Sequence, residues 1–315
     1  MSHPTYSIGM IGLGRMGANM SRRMARAGIQ VHGFDASEQA RAELAAEPGV
    51  QTHDSLAALL GALPPVASGE PGRLVWVMLP AGEITDTTLI DLWTMLGDTD
   101  TIVEGGNSNY LDSQRRASQS ASHGIDYLDC GVSGGVWGLA NGYCLSFGGS
   151  ARALDRARPF AQALAPEGDD GWMHCGPSGA GHFVKMIHNG IEYGMMQAIA
   201  EGFALLEGRR EFDLDLARIG RLWQQGSVIR SWLLELTADA LNDPQALESV
   251  APFVSDSGEG RWTIDEAIRQ GTPAPVIALA LMSRFDSQGK ADTANRLLAL
   301  MRKGFGGHAI KVGDA

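Results

Sequence analysis

The sequence predicts an α/β protein, with a doubly wound parallel sheet in its first half and only helices in its second. Three observations carry this. Short apolar runs alternate with helical patterns up to about residue 150, a glycine-rich turn joins the first run to the first helix, and strand patterns stop after Gly176. At about 150 residues per domain, 315 residues make roughly two domains. The expected limits are 1–178 and 179–315.

The elements follow in order. Ser7–Ile11 reads as a buried strand, Met16–Ala27 as a helix, Gln30–Phe34 as the second strand and Glu38–Ala46 as its helix. Pro64–Gly72 is a Pro/Gly-rich surface loop. Leu74–Leu79 and Thr101–Val103 are further strands, followed by helices at Asp86–Leu96 and Tyr110–His123. Asn141–Gly148 is a later strand whose glycine-rich flanks place it at a turn or a sheet edge. His182–Gly208 has no proline and is apolar on most sides, which predicts a long buried helix. Helices are expected at Leu214–Gln225, Ser231–Leu241, Thr263–Gln270, Pro275–Phe285 and Ala291–Arg302, with Asp213-Leu214-Asp215 as a helix cap and not a ligand pair.

Composition narrows the function. With 44% hydrophobic and 19% charged residues the chain is an ordinary globular protein. Its net charge of −11 argues against nucleic-acid binding, which needs a basic surface. No apolar run approaches the ~18 residues of a membrane span, and no secretory leader is expected. Three cysteines (Cys130, Cys144, Cys175) without CxxC spacing read as reduced thiols of a cytoplasmic protein, and the scattered histidines predict no metal site. Glycine is in excess, at 41 residues against the usual ~7%.

Some of those glycines form Gly12-Leu13-Gly14-Arg15-Met16-Gly17, a GxGxxG turn placed after the first strand and opening the first helix. The first glycine permits the turn, the second lets a pyrophosphate reach the backbone, and the third lets helix pack on strand, as in a Rossmann-type dinucleotide site. The helix N-terminus offers the phosphates free N–H groups. Asp35 ends the second strand, 18 residues after Gly17, where a carboxylate can accept a bond from a ribose 2′-OH and would repel a 2′-phosphate. NAD is therefore expected over NADP. Arg41, on the following helix, could swing toward a phosphate, but a solvated helix charge is the preferred reading.

A second stretch carries chemistry. Lys185, His188, Asn189 and Glu192 stand at i, i+3, i+4 and i+7, on one face of the long helix. An amine, an imidazole, an amide and a carboxylate among apolar residues suit acid–base work: a lysine can act as base and a glutamate as acid when their surroundings shift them. The same spacing also fits a polar face whose charges simply pair.

Taken with Gly9–Gly17, these residues resemble the 6-phosphogluconate dehydrogenase family of the β-hydroxyacid dehydrogenase superfamily. The other matching pieces are Glu104-Gly105-Gly106-Asn107-Ser108, Gly131-Val132-Ser133-Gly134-Gly135, Lys185–Tyr193, Gly260-Arg261-Trp262-Thr263 and Phe305-Gly306-Gly307-His308. The likeness spans nearly the whole chain and fits the family's shorter branch. It implies Lys185 as the base at the substrate 3-OH and Glu192 as the acid protonating the enediol. Asn107, Ser133, Gly134, Gly135, His188 and Asn189 would grip the sugar acid, and Tyr193, Arg261 and Arg284 the phosphate side. Arg302 and His308 match a tail that reaches a neighbour's site, which implies a homodimer or homotetramer. The expected cofactor contacts are Gly12, Leu13, Gly14, Arg15, Met16, Gly17, Asp35, Leu79, Pro80, Ala81 and Asn107.

Two departures are visible. The long branch has lysine where Arg261 stands, and an arginine for NADP where this chain has Asp35-Ala36. Another β-hydroxyacid dehydrogenase, such as one acting on 3-hydroxyisobutyrate, and a non-catalytic NAD(H) sensor are the alternatives.

Overall fold

The apolar runs do become strands. In the computed structural model, which describes residues 6–65, 72–168, 170–306 and 309–311, eight strands form one sheet. They are β1 (Ser7–Ile11), β2 (Gln30–Phe34), β3 (Val50–His53), β4 (Leu74–Val77), β5 (Thr101–Glu104), β6 (Asp126–Ser133), β7 (Cys144–Gly149) and β8 (Trp172–Gly176). The order is β3-β2-β1-β4-β5-β6-β7-β8. All neighbours pair in parallel except β6 and β7, which are antiparallel. The winding reverses between β1 and β4, so a crevice opens at their carboxyl ends, where ligands bind in such sheets.

Seven helices accompany the sheet: α1 (Arg15–Arg26), α2 (Glu38–Ala45), α3 (Leu56–Ala62), α4 (Glu83–Met95), α5 (Tyr110–Ser122), the one-turn α6 (Gly138–Asn141) and α7 (Ala151–Leu164). Because side chains alternate along a strand, β4 feeds two cores. Leu74 and Trp76 join Ile8, Met20, Met24 and Phe160 on one face, while Val75 and Val77 join Leu59, Leu60, Leu89 and Leu92 on the other. Burying each such side chain contributes about 1.5–3 kcal/mol, and both faces are filled, as a parallel sheet requires.

The structure corrects and extends the reading. The strand expected at Asn141–Gly148 is β7, and it is not an edge: β8 lies outside it. Its glycines instead serve contacts with a helix, described below. The strand expected at Leu74–Leu79 stops at Val77, although the Met78 N–H still reaches the Ile11 carbonyl (2.7 Å). Strands β3, β6 and β8 and helices α3 and α7 have no counterpart in the sequence reading.

One pair at the β2–β3 edge carries a pH prediction. His32 Nδ1 and His53 Nε2 lie 3.1 Å apart with their rings stacked. Burial, and then the neighbouring His53, hold His32 below the usual histidine range, and burial does the same to His53. The folded pair favours the neutral form, so its contribution is complete above about pH 6.5 and is lost as acidification protonates the unfolded chain first. Thermal unfolding temperature should fall between pH 7.5 and 5.5, and His53→Gln should flatten that slope. An unchanged slope in the variant would remove the pair from the pH response.

Among its described residues the second half contains helices joined by loops and no strand. After α8 (Ala180–Gly208) come α9 (Leu216–Trp223), α10 (Trp232–Leu241), α11 (Pro244–Ser249), α12 (Glu259–Gln270), α13 (Pro275–Ser287) and α14 (Asp292–Gly306). Asp215 caps α9 by accepting the Arg218 N–H (2.9 Å), the capping role read from Asp213-Leu214-Asp215. The chain divides into two compact units, Met1–Ile187 and His188–Ala315, so the division falls inside α8. Among the described residues no helix is long and apolar enough to cross a membrane.

Candidate active site

Two glycines of the turn, Gly12 and Gly17, are required by the fold itself. Gly12 has φ +92°, a conformation costly for other residues, and a Cβ there would strike the Met78 carbonyl. A Cβ on Gly17 would run into the Gly12 carbonyl. Gly14 is different, because a Cβ there would meet nothing within 4 Å. The fold itself has no packing need for glycine at that position. Gly14 is also the N-cap of α1, without a side-chain cap and without an acid in the first turn, so the helix's first N–H groups face an anion-sized demand unmet by protein side chains. Gly14→Ala should therefore leave the unfolding temperature within about 2 °C while weakening NADH binding at least tenfold. Equal binding by variant and parent would remove the pyrophosphate from this turn.

Asp35 is fixed from two sides. Its Oδ2 accepts the Leu13 N–H (2.7 Å) and its Oδ1 the Ser37 N–H (2.8 Å). Arg41 is not the solvated charge the sequence suggested: its Nη1 donates to the carbonyls of Asp35 (2.7 Å) and Ala36 (3.2 Å). Across the crevice, Thr85 holds the Pro80 carbonyl (2.8 Å), which shapes the Leu79-Pro80-Ala81 turn. Pro80 and Ala81 are exposed there, as is Arg15 on α1, while Leu79 and Met16 are half-buried.

The loop after β5 is held by buried charge. Glu104 and Arg116 are fully buried and paired (3.1 Å). Glu104 Oε1 accepts the Gly106 N–H (2.8 Å), and its Oε2 accepts the Tyr127 hydroxyl (3.3 Å). Burial, then the Glu104 carboxylate, push that hydroxyl well above its usual range, so it stays a donor. Arg116 also donates to Ser108 Oγ (2.6 Å) and Asp86 (2.8 Å). These bonds bracket Asn107, which has φ +53° and whose Oδ1 accepts the Val132 N–H (3.4 Å). A left-handed asparagine between two anchored neighbours is a held conformation. Beside it, β6 ends at Ser133, and Gly134 (φ +133°) and Gly135 (φ +53°) turn the chain away.

Lys185 is positioned by a carboxylate and three glycines. Asp129, fully buried on β6, accepts the N–H groups of Gly179 (2.6 Å) and His182 (2.9 Å), capping the start of α8 from the sheet. A Cβ on Gly181 would strike the Asp129 carbonyl and the Gly148 N–H, and one on Gly131 would strike the Lys185 Cβ. Only glycines let the helix lie this close to β6 and β7. His182 is tied in by Ser113 Oγ (2.7 Å), and Lys185 is 8% exposed. Sequence reasoning missed Asp129, Glu104, Arg116 and His182 as supports of the site. A signal existed for Glu104, the one acid of the apolar strand β5.

Further along α8 the predicted residues continue in the second unit. His188 is exposed, its Nδ1 3.3 Å from Asn189 Oδ1 and 3.8 Å from Glu192 Oε2. Tyr193 is buried, with the Arg284 guanidinium 3.4 Å from its ring centroid. Gly260 allows this, because a Cβ there would meet the Tyr193 ring at 2.5 Å. Arg261 stacks on Phe285 (4.4 Å) and pairs with Asp256 (2.8 Å), a bond that holds the Asp256 carboxyl below its usual range. Tyr193, Arg261 and Arg284 are thus brought into one cluster. Arg302 is exposed on α14, and His308 lies outside the described residues.

Comparison with known proteins agrees in both halves. Residues 7–175 match the model of the NAD binding domain of 6-phosphogluconate dehydrogenase, and residues 181–309 match that of the 6-phosphogluconate dehydrogenase C-terminal domain. The chain belongs to the 6-phosphogluconate dehydrogenase family. A relative from Haloferax volcanii, named as an NAD(+)-dependent, decarboxylating 6-phosphogluconate dehydrogenase, is 44% identical over 305 residues, covering 96% of this chain and 98% of that one. Among solved structures, Plasmodium falciparum 6-phosphogluconate dehydrogenase superposes with a TM-score of 0.83 at 27% identity, over 98% of this chain and 66% of that one. Mycobacterium tuberculosis 3-hydroxyisobutyrate dehydrogenase does so at 0.70 and 26%, over 91% and 94%. The two 6-phosphogluconate dehydrogenase models together span the glycine turn and the lysine helix.

Proposed function

We propose that the protein oxidises and decarboxylates 6-phospho-D-gluconate to D-ribulose 5-phosphate and CO₂, with NAD as oxidant. The observation that carries this is the seat of Lys185, buried and set by Asp129 and the glycines of β6, β7 and α8. The name of the Haloferax relative supports the same reaction and cofactor.

Bound NAD supplies the hydride acceptor, and Gly14, the start of α1 and Asp35 fit its pyrophosphate and ribose. The neutral Lys185 amine takes the proton of the 3-OH as hydride leaves C3. The resulting 3-keto acid releases CO₂, and the electrons of the broken C–C bond pass into an enolate that the protonated Lys185 stabilises. Glu192 then delivers a proton to C1 of the enediol. Asn107, Ser133, Gly134, Gly135, His188 and Asn189 hold the carboxylate and hydroxyls. Tyr193, Arg261 and Arg284 take the phosphate side, where arginine suits a planar, bidentate contact.

In the same reading, residues 1–178 form the dinucleotide domain and 179–315 the helical domain of a cytoplasmic homodimer or homotetramer. Arg302 and His308 then serve a neighbour's site. Supporting this, Leu297, Leu298, Leu300 and Met301 on α14 are each more than half exposed, a large apolar allotment for one helix face in water.

Initial rates with 6-phosphogluconate, following reduced nicotinamide and CO₂ together, test the assignment. Equal yields, faster with NAD, are expected. Faster rates with NADP would overturn the cofactor choice. Activity only on an unphosphorylated acid such as 3-hydroxyisobutyrate, or cofactor binding without turnover, would overturn the reaction.

A further inference from the structure

We infer that Arg41 is a positioning residue for cofactor selection: it locks the Asp35 carboxylate against a 2′-phosphate. This rests on the NAD preference proposed above.

Four hydrogen bonds make the lock. Asp35 Oδ2 accepts from Leu13, inside the glycine turn, which ties the acid to the loop expected to hold the pyrophosphate. Asp35 Oδ1 accepts from Ser37, closing a tight turn on the acid's own backbone. The carbonyls of that turn, at Asp35 and Ala36, both receive Arg41 Nη1. A guanidinium bridging consecutive carbonyls fixes the two peptide planes. With the planes fixed, the Ser37 N–H stays aimed at Oδ1.

The consequence is electrostatic. A carboxylate on a mobile turn can swing aside when a dianionic phosphate arrives, and the repulsion is then relieved. Held on both oxygens, it cannot. Each oxygen keeps a second lone pair for a ribose hydroxyl, so the lock costs NAD nothing. Arg41 spends its short bond on the main chain, and in this reading it does not bind the phosphate. A phosphate-binding arginine and a locking arginine predict opposite outcomes on removal.

The test is equilibrium binding of NADH and NADPH by fluorescence, without substrate, to the parent, Arg41→Met, Asp35→Ala and the double variant. The quantity read is the ratio of the NADPH to the NADH dissociation constant. Arg41→Met should lower that ratio at least fivefold, Arg41→Lys should restore part of it, and Arg41→Met should have no further effect in the Asp35→Ala background. Equal weakening of both cofactors would reduce Arg41 to a support of the fold, and a raised ratio would make it a phosphate receptor. Either overturns the lock, as does a ratio unchanged within twofold. A parent protein that binds both cofactors equally would instead fail the NAD preference itself, a result distinguishable from the others because it precedes any substitution.

Discussion

Lys185→Ala is expected to lower kcat with 6-phosphogluconate by roughly 10²–10⁴-fold, the usual worth of a positioned general base. NADH binding should stay within about twofold, since the glycine turn, Asp35 and the β4 loop are built without the lysine. The split between chemistry and cofactor binding is the informative part. A variant that turned over at more than a third of the parent rate would overturn the base assignment. A variant that lost NADH binding as well would show that the substitution had disturbed the seat of α8, which Gly131 and Asp129 set. Thermal unfolding separates that case, because removing one side chain from a capped helix should shift the midpoint little.

Arg116→Met is expected to have the largest effect on stability. Arg116 is fully buried, and its partner Glu104 is fully buried too. Methionine keeps much of the volume and removes the charge, leaving the buried Glu104 carboxyl with the Gly106 N–H, the Tyr127 hydroxyl and His182 Nδ1 at 3.7 Å. Breaking a buried pair in this way costs about 3–5 kcal/mol. For a unit of this size that is a fall in unfolding temperature on the order of 10 °C. Replacing both charges, as in Arg116→Met with Glu104→Leu, should recover much of it, since the isolated charge is what costs most. A single variant that melted within 2 °C of the parent would show that water reaches Glu104.

The same residues explain what a sequence reveals and what it conceals. Asp35 and Gly12–Gly17 were legible because their spacing is short and their chemistry is local. Lys185, His188 and Glu192 were legible because helical periodicity places them without knowledge of the rest of the fold. Strand β3, Val-Gln-Thr-His, has one apolar residue in four and offers no alternation to detect. Helix α7 contains Pro159, which interrupts the expected pattern although the helix runs through it, capped by Ser150. Asp129 could not be assigned from sequence because its partners, Gly179 and His182, are 50 and 53 positions away. Its role exists only once β6 and α8 meet. Arg41 was misread for a related reason: its bonds go to main-chain carbonyls, and no side chain nearby announces them.

The capping of α8 by Asp129 also orders events during synthesis. The ribosome releases Asp129 long before Gly179 and His182, so for some fifty residues the carboxylate has no helix to receive it. A nascent chain that has completed β8 is expected to hold the Asp129 side chain on β6 without the Gly179 and His182 N–H groups that it accepts in the native fold. The cofactor-binding unit therefore reaches its final form only when the first two turns of α8 have emerged from the exit tunnel. Limited proteolysis is therefore expected to cut along β6 in a chain halted before that point and to spare β6 in a chain just past it.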